Sequence, residues 1–548
     1  MNSRLLRITA ACVLIVSLLL NACQPGTAPI AVAADQSYAG RRVTAPDCKY
    51  GGNLRSVQAV DRYTVKFSLC KPDPALPTKL AFPVFSILDE ANLEFFQGNP
   101  VLMDARPNGT GPYIVSDFRP GSGITLQANP AYWGPPVKTQ TLEIRWSSSA
   151  QDRQTIIQSA EADGIDRPSP RELDNLESNP ELKVYPRPSL NTFYIGMNNK
   201  FSPFDKAGVR EAFATAIDRS ALLDALFLSG TELAEQFLSP AFTPGYTPGY
   251  RWFDANPNQA YDMLLAAGFD FVRPISLAYS TAETDYLADP AAAAEAVRDQ
   301  LNAIGIQINP VPMDPSEFKK SVLAGEQAFF LSGWSANYPD ASDFYQSHFT
   351  SENLQFGNPY PDLDFMVRQV ASAFDDRDRQ YRFNRINEII RLHVPAIPVA
   401  HATTAIVLDA DVQNVLIGPL NENFEEMTTP DDRLVFVQSA APVHLWPGNA
   451  ADSDTLRVSR LIYDSLLAFE FGGTGLKPNL AEHWESNTDM TEWTFQLRYG
   501  VRFTDGAELD ANDVVATIEA MWDADHPAHQ GDFDTFERFF GGFLNAAD

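Results

Sequence analysis

The sequence predicts an α/β protein with more than one domain, and three observations carry that reading. Between residues 257 and 334, three helices with one shared punctuation, Pro257 to Gly268, Pro290 to Gly305 and Pro315 to Gly325, are followed by strand-like runs at Ile306 to Val311 and Phe329 to Trp334. Each helix has a polar cap (Asn256, Asp289, Asp314), a proline at its first position and a glycine near its end. Upstream, GTGPYIVSDFRPGSGITLQANPAYWG at Gly109 to Gly134 reads as a β-hairpin: two alternating runs flank a turn at Pro120 to Gly123, and Tyr132 and Trp133 close the second run. A length of 548 residues exceeds one ordinary core and suggests two to four domains.

In chain order, the first 22 residues read as an export leader: Arg4 and Arg7, an apolar run from Ala10 to Leu20, and a small residue at Ala22 before Cys23. The run is too short to span a bilayer permanently. Either cleavage falls before Cys23, whose sulfur then carries lipid, or it falls further on, near Ala31 to Ala34; both place the mature chain outside the cytoplasm. Residues 23–47 form a small, polar tether. Cys12 leaves with the leader, so Cys48 and Cys70 remain, and in an oxidising compartment two leftover cysteines are most simply a disulfide. They bracket a strand, Tyr63 to Leu69, whose Tyr63, Val65, Phe67 and Leu69 face one way. The net charge of −29 argues against nucleic acid as partner and against a broad hold on anionic lipid.

Beyond the hairpin, Leu142 to Trp146 is a strand, Ala150 to Asp163 a helix and Asn191 to Asn198 a buried-looking strand. Val209, Phe213, Ile217 and Leu226 recur at helical spacing. Arg379 to His393 is a helix, and Val394 to Ala400 with Ile406 to Leu408 returns as strand. ENFEEMTTPDD at Glu422 to Asp432 is acidic and turn-rich, a linker by composition. After it come a strand at Arg433 to Gln438, a helix at Leu456 to Leu467, a strand at Trp493 to Leu497, and a helix to Trp522 capped by Asp510 with Asp513 at its third position.

These stretches resemble the signature motifs of the extracytoplasmic solute-binding proteins, family 5, which serve peptide and nickel importers of the ABC type. The hairpin with its aromatic anchor is one such motif, and FDKAGVREAFATAIDRSALL at Phe204 to Leu223 is another. IYDSLL at Ile462, PNLAEHWE at Pro478 and WTFQLRYGVRFTDGAELDANDVV at Trp493 resemble the family's opening motifs, yet they stand at the end. SVQAVDRYTVKFSL at Ser56, which normally follows them, stands near the beginning. The resemblance therefore implies a circularly permuted copy, with a fragment spanning two tandem genes as the rival explanation. It implies a two-lobed, periplasmic-binding-protein-like α/β fold with an accessory third domain. Lobe I would comprise 108–226 and 396–467, lobe II 227–395, and the accessory domain 468–548 and 48–107, with 422–432 joining the family's old termini.

No catalytic constellation stands out: G-x-S-x-G, H-E-x-x-H and the phosphate-cradling loop are all missing. Ser316 and Lys319 match S-x-x-K without its partner motifs, and His526 with His529 reads as a surface pair. The expectation is a binding protein that is not an enzyme and uses no cofactor or metal. By the resemblance, Gly333 to Asp340 lines the ligand cleft, with Trp334, Ser335, Asn337, Tyr338 and Asp340 as candidates; Trp334 and Tyr338 alternatively pack beneath a loop. Asn337 stands where peptide-binding relatives place an aspartate for the ligand's ammonium. Phe193, Tyr194, Asn198, His401, Phe469 and Glu470 are further cleft candidates, each with a core or linker role as its alternative. The function implied is a monomeric lipoprotein on the outer face of the membrane that captures peptides or similar solutes and delivers them to an ABC permease. A sensor or chaperone-like binder of the same fold is the alternative.

Overall fold

Strand pairing sorts the chain into three large sheets, each built from segments far apart in sequence. The computed structural model describes residues 38–546 apart from 170–172, 189, 337, 374 and 451; the leader, the small-residue stretch around Ala31 and the proposed lipid site at Cys23 lie outside the described residues. Residues 40–548 form one compact unit.

The five-stranded sheet runs in the order Arg42–Thr44, Leu54–Asp61, Thr64–Leu69, Glu492–Leu497, Ala481–Ser486. Alternation explains the central pair. Val65 and Phe67 are buried opposite Phe495 and Trp493, Leu69 is buried beyond them, and the Phe67 and Phe495 rings meet edge to face at 5.5 Å. Ala511–Trp522 packs against this sheet, started by the Asp510 and Asp513 capping box as its sequence predicts. Cys48 and Cys70 form the expected disulfide beside it.

The seven-stranded sheet runs Tyr113–Arg119, Gly123–Ala128, Thr141–Trp146, Arg433–Gln438, Gly164–Asp166, Thr404–Asp409, Leu182–Arg187. Its first two strands are the hairpin read from the sequence, paired antiparallel about the turn. Arg433–Gln438 inserts parallel to both neighbours, so the middle of the sheet needs the segment after residue 432.

The six-stranded sheet runs Glu232–Leu233, Ala396–His401, Asn191–Met197, Phe329–Ser335, Ile275–Ser280, Ile308–Met313. Ile275–Ser280 and Ile308–Met313 are parallel, joined through the helix Pro290–Asn302. The three punctuated helices form where predicted: Asn256, Asp289 and Asp314 each accept a backbone N–H of the first turn. Gly325 ends the third with φ of +70°, and a Cβ there would lie 2.5 Å from the Leu354 carbonyl oxygen, so only glycine fits.

Two expectations need correction. The lobes do not divide at 226/227 and 395/396: every residue of Asn191–Met197 is buried, and this strand pairs on both sides within the six-stranded sheet. The helices Ala207–Ala216 and Arg219–Leu226 belong to the same core. A strand apolar on both faces is central, but the sheet it joins is decided by distant partners. The chain therefore passes from one sheet to the other between Arg187 and Asn191 and again between His401 and Thr404. Second, 422–432, a linker by composition, is partly built into the folded body: Glu422, Asn423, Phe424 and Met427 are buried. Its leading acid is neutralised by arginines from elsewhere in the chain, which composition alone does not reveal.

Candidate functional site

A cavity of about 720 Å³ is lined by residues of the seven-stranded and six-stranded sheets and, on another side, by the segment around Phe82 and the helix Asp534–Phe540. The seven-stranded sheet contributes Asp166 and Arg187, the six-stranded sheet Asn191 and Ser335, and the five-stranded side Phe82 and Thr535. The two crossing strands form its floor, and Asn191 rivets them together. Its amide donates to the Ala402 carbonyl at 3.1 Å and accepts from the Ala402 N–H at 2.9 Å, while the same Nδ2 donates to the Asp285 carbonyl at 3.2 Å. Such a pair of short crossings is the geometry about which two lobes hinge.

One wall is an ionic network. Arg457, on the helix Ser453–Ile462, reaches Asp166 at 2.5 Å and Glu422 and Asp454 at 2.9 Å each. Arg187 and Arg460 also hold Glu422. Burial opposes ionisation of Glu422, yet Arg187, Arg457 and Arg460 together keep its carboxyl well below the ordinary range; Asp166 is lowered by Arg457 and Arg187 in the same way. Two neighbouring acids behave oppositely. Burial pushes Glu425 and Asp464 upward, Asp464 being held by the neutral donors Thr110, Trp133 and Asn479.

Of the residues singled out from the sequence, Ser335 and Phe469 line the cavity. Trp334 is half-buried, its ring 5.0 Å from that of Phe344 and edge-on to it. Tyr338 is 4% exposed and meets Phe539, from the five-stranded side, at 4.5 Å. Asp340 caps the helix Ala341–Phe349 and is paired with Arg379 at 2.7 Å. Phe193 and Tyr194 are core residues, with the Tyr194 hydroxyl donating to Gln355. The Asn198 amide donates to the Gly325 carbonyl. His401 is buried, and burial lowers its pKa to about 4. Glu470 sits exposed at the turn of the ribbon Leu467–Phe469 and Leu476–Pro478. Asn337 lies outside the described residues. Sequence reading missed Arg167, Arg187, Arg457, Arg460 and Lys477 on the wall. The one available signal was Arg457 and Arg460 interrupting the apolar helix LRVSRLI.

Among the described residues, no group of three or more His, Cys, Asp or Glu side chains is arranged to hold a metal ion, and no helix is long and apolar enough to cross a membrane. The His526 and His529 rings are engaged locally, Nδ1 of His526 accepting from Ala528 N–H and Nδ1 of His529 meeting the Ala520 carbonyl.

Comparison with known proteins matches residues 28–356 and 475–540 to the family model for bacterial extracellular solute-binding proteins, family 5 (middle). Di/tripeptide-binding protein 3 of Pseudomonas aeruginosa is 27% identical over 379 residues, covering 68% of this chain and 71% of that protein. Heme-binding protein A of Haemophilus influenzae is 25% identical over 386 residues, covering 68% and 69%. Among solved structures, HbpA2 from Haemophilus parasuis superposes with a TM-score of 0.64 at 25% identity, covering 69% of this chain and 76% of that one. DppA from Helicobacter pylori in complex with the peptide STSA gives 0.53 at 19%, covering 66% and 71%, a likeness of fold.

Proposed function

Because this chain belongs to the bacterial extracellular solute-binding proteins, family 5, whose members bind solutes without transforming them, we propose that it captures peptides or similar amphipathic solutes outside the cytoplasm and hands them to the permease of an ABC importer. The observation that carries the reading is the cavity at the hinge, about 720 Å³ in volume, with Ser335 on one side and Phe469 on another. That is the size and mixed lining of a small-ligand site. Closure of the lobes about the two crossings, between Arg187 and Asn191 and between His401 and Thr404, buries the solute, and binding energy is the whole chemistry.

Haem is the second reading, favoured by the similarity to Heme-binding protein A. Against it, the described cavity wall offers no His, Cys or Met to ligate iron. Its tyrosines Tyr132 and Tyr463 are driven toward the neutral phenol by burial. Calorimetry with di- and tripeptides and with haemin decides between them. Peptides bind and haemin does not if the reading holds; haemin alone binding, or neither, sinks it.

The permuted motif order belongs to the same proposal. It rests on the order of the motifs themselves, because the match to the family model, over 28–356 and 475–540, runs in the ordinary order. The pairing of Thr64–Leu69 with Glu492–Leu497 also favours one continuous fold over two fused fragments. Limited proteolysis of the expressed chain tests it, since release of two independently unfolding pieces contradicts a single permuted copy. Lipid attachment at Cys23, which would tether the receptor to the membrane surface, is checked by metabolic labelling with a radioactive fatty acid in wild type and C23A. Equal labelling of the two rejects it.

A further inference from the structure

The cations on the cavity wall are Arg167, Arg187, Arg457, Arg460, Arg538 and Lys477. Arg187, Arg457 and Arg460 are committed to the buried carboxylates of the network. Arg167 reaches across the cleft to Asp285 at 3.5 Å, and Arg538 bonds Thr535 and the Asp534 carbonyl on its own helix. Lys477 differs. Its ammonium stands 4.0 Å over the Phe471 ring and makes no ion pair or hydrogen bond with a described residue. Glu425, Glu470 and Asp464 act on it only at longer range.

Its setting is built rather than accidental. Lys477 lies on the ribbon Leu467–Phe469 and Leu476–Pro478 directly opposite Ala468, a side chain too small to cover it, and Ala468, Phe469 and Phe471 line the same cavity. A half-buried ammonium over an aromatic face, beside apolar surface and without a directly paired carboxylate, is a receptor for an anion. Resting on the solute-binding reading above, we propose that Lys477 receives a carboxylate of the bound solute, with Phe469 taking the apolar part next to it. The carboxylate-bearing end of the solute therefore points toward the ribbon, away from the hinge floor at Asn191. Burial also lowers the pKa of Lys477, so desolvation already disfavours its charge, and an arriving carboxylate relieves this.

The test is calorimetry of the full chain and of Lys477→Gln and Lys477→Arg with the dipeptide Ala-Phe and with its C-terminal amide. The free acid binds wild type, binds K477Q on the order of tenfold more weakly and is largely rescued in K477R, while the amide binds all three alike and weakly. Equal binding of acid and amide to wild type, or of the acid to wild type and K477Q, overturns the inference and leaves the function standing. If neither peptide binds, the proposed function fails instead, and acylation of Lys477 by an acetyl ester, read by mass spectrometry, decides the inference. Protection by the small-molecule fraction of a cell extract that is lost on methyl esterification of that fraction upholds it. Protection that survives esterification, or no protection, overturns it.

Discussion

Replacing Arg457 by methionine removes one cation from among Asp166, Glu422 and Asp454, whose side chains are 2%, 2% and 5% exposed. Glu422 keeps Arg187 and Arg460, but Asp166 keeps only Arg187 at 3.9 Å and the Arg167 N–H, and Asp454 keeps the Ser439 hydroxyl, so two buried carboxylates lose their close cation. Breaking a buried pair in this way costs about 4 kcal/mol. With an unfolding entropy of about 2.1 cal/mol/K per residue, that loss lowers Tm by about 4 °C if residues 40–548 melt as one unit, and by about 10 °C if a lobe of roughly 200 residues melts alone. Differential scanning calorimetry at pH 7 reads both the shift and the size of the cooperative unit. Because Asp166 and Glu422 are held below the ordinary carboxylate range, the stability they supply is present above about pH 4 and lost as pH falls through their folded values. The gap between wild type and R457M should therefore narrow below about pH 4. A shift under about 1 °C at pH 7, or a gap that does not change on acidification, refutes the argument that charge rather than packing holds this wall.

Further outcomes follow from single features. Reducing the Cys48–Cys70 bond, whose residues are 22 apart, should cost about 3 kcal/mol in urea unfolding. Burial raises the Asp513 carboxyl to about 7, so its contribution is full below about pH 4 and lost as pH rises toward 7; in D513N the Tm-against-pH curve should be flatter across that interval. The Tyr338 and Phe539 rings, edge to face at 4.5 Å across two sheets, should show a coupling of about 1 kcal/mol in a double-mutant cycle with alanine. His401, lowered to about 4 by burial, should show no NMR titration between pH 7 and 5, and an imidazole titrating above pH 5 contradicts its burial.

Local patterns were the legible part of the fold. The hairpin at 113–128, the helices introduced by Asn256, Asp289 and Asp314, and the Asp510 and Asp513 capping box all depend on residues within a few positions of one another. Sheet membership was not legible. NTFYIGM reads as buried from its own residues, but its neighbours Phe329–Ser335 and Ala396–His401 lie more than a hundred residues away. The same distance hid the site. Ser335 and Phe469, which line the cavity, came from the family resemblance, whereas ENFEEMTTPDD read as a linker because the partners of its acids, Arg187, Arg457 and Arg460, stand elsewhere in the sequence. An acidic stretch announces exposure unless the cations that bury it are seen, and these come together only through the fold.

That network also bears on why a binding cleft should keep charges in its wall at all. Well-packed apolar side chains of similar volume would be as stable or more so, because desolvating ions offsets their attraction. A cleft wall, however, alternates between water when the lobes part and ligand when they close. An apolar wall of that extent would present a sticky patch in the open state. Acids and arginines that neutralise one another internally stay wettable when open and impose little net field when closed, so the wall need not dictate the charge of the solute. Discrimination then falls to the few groups left outside the network. Outside the network this wall carries, among others, Ser335, the aromatic faces of Phe469 and Phe471, and the ammonium of Lys477, the group proposed above to receive the solute's carboxylate.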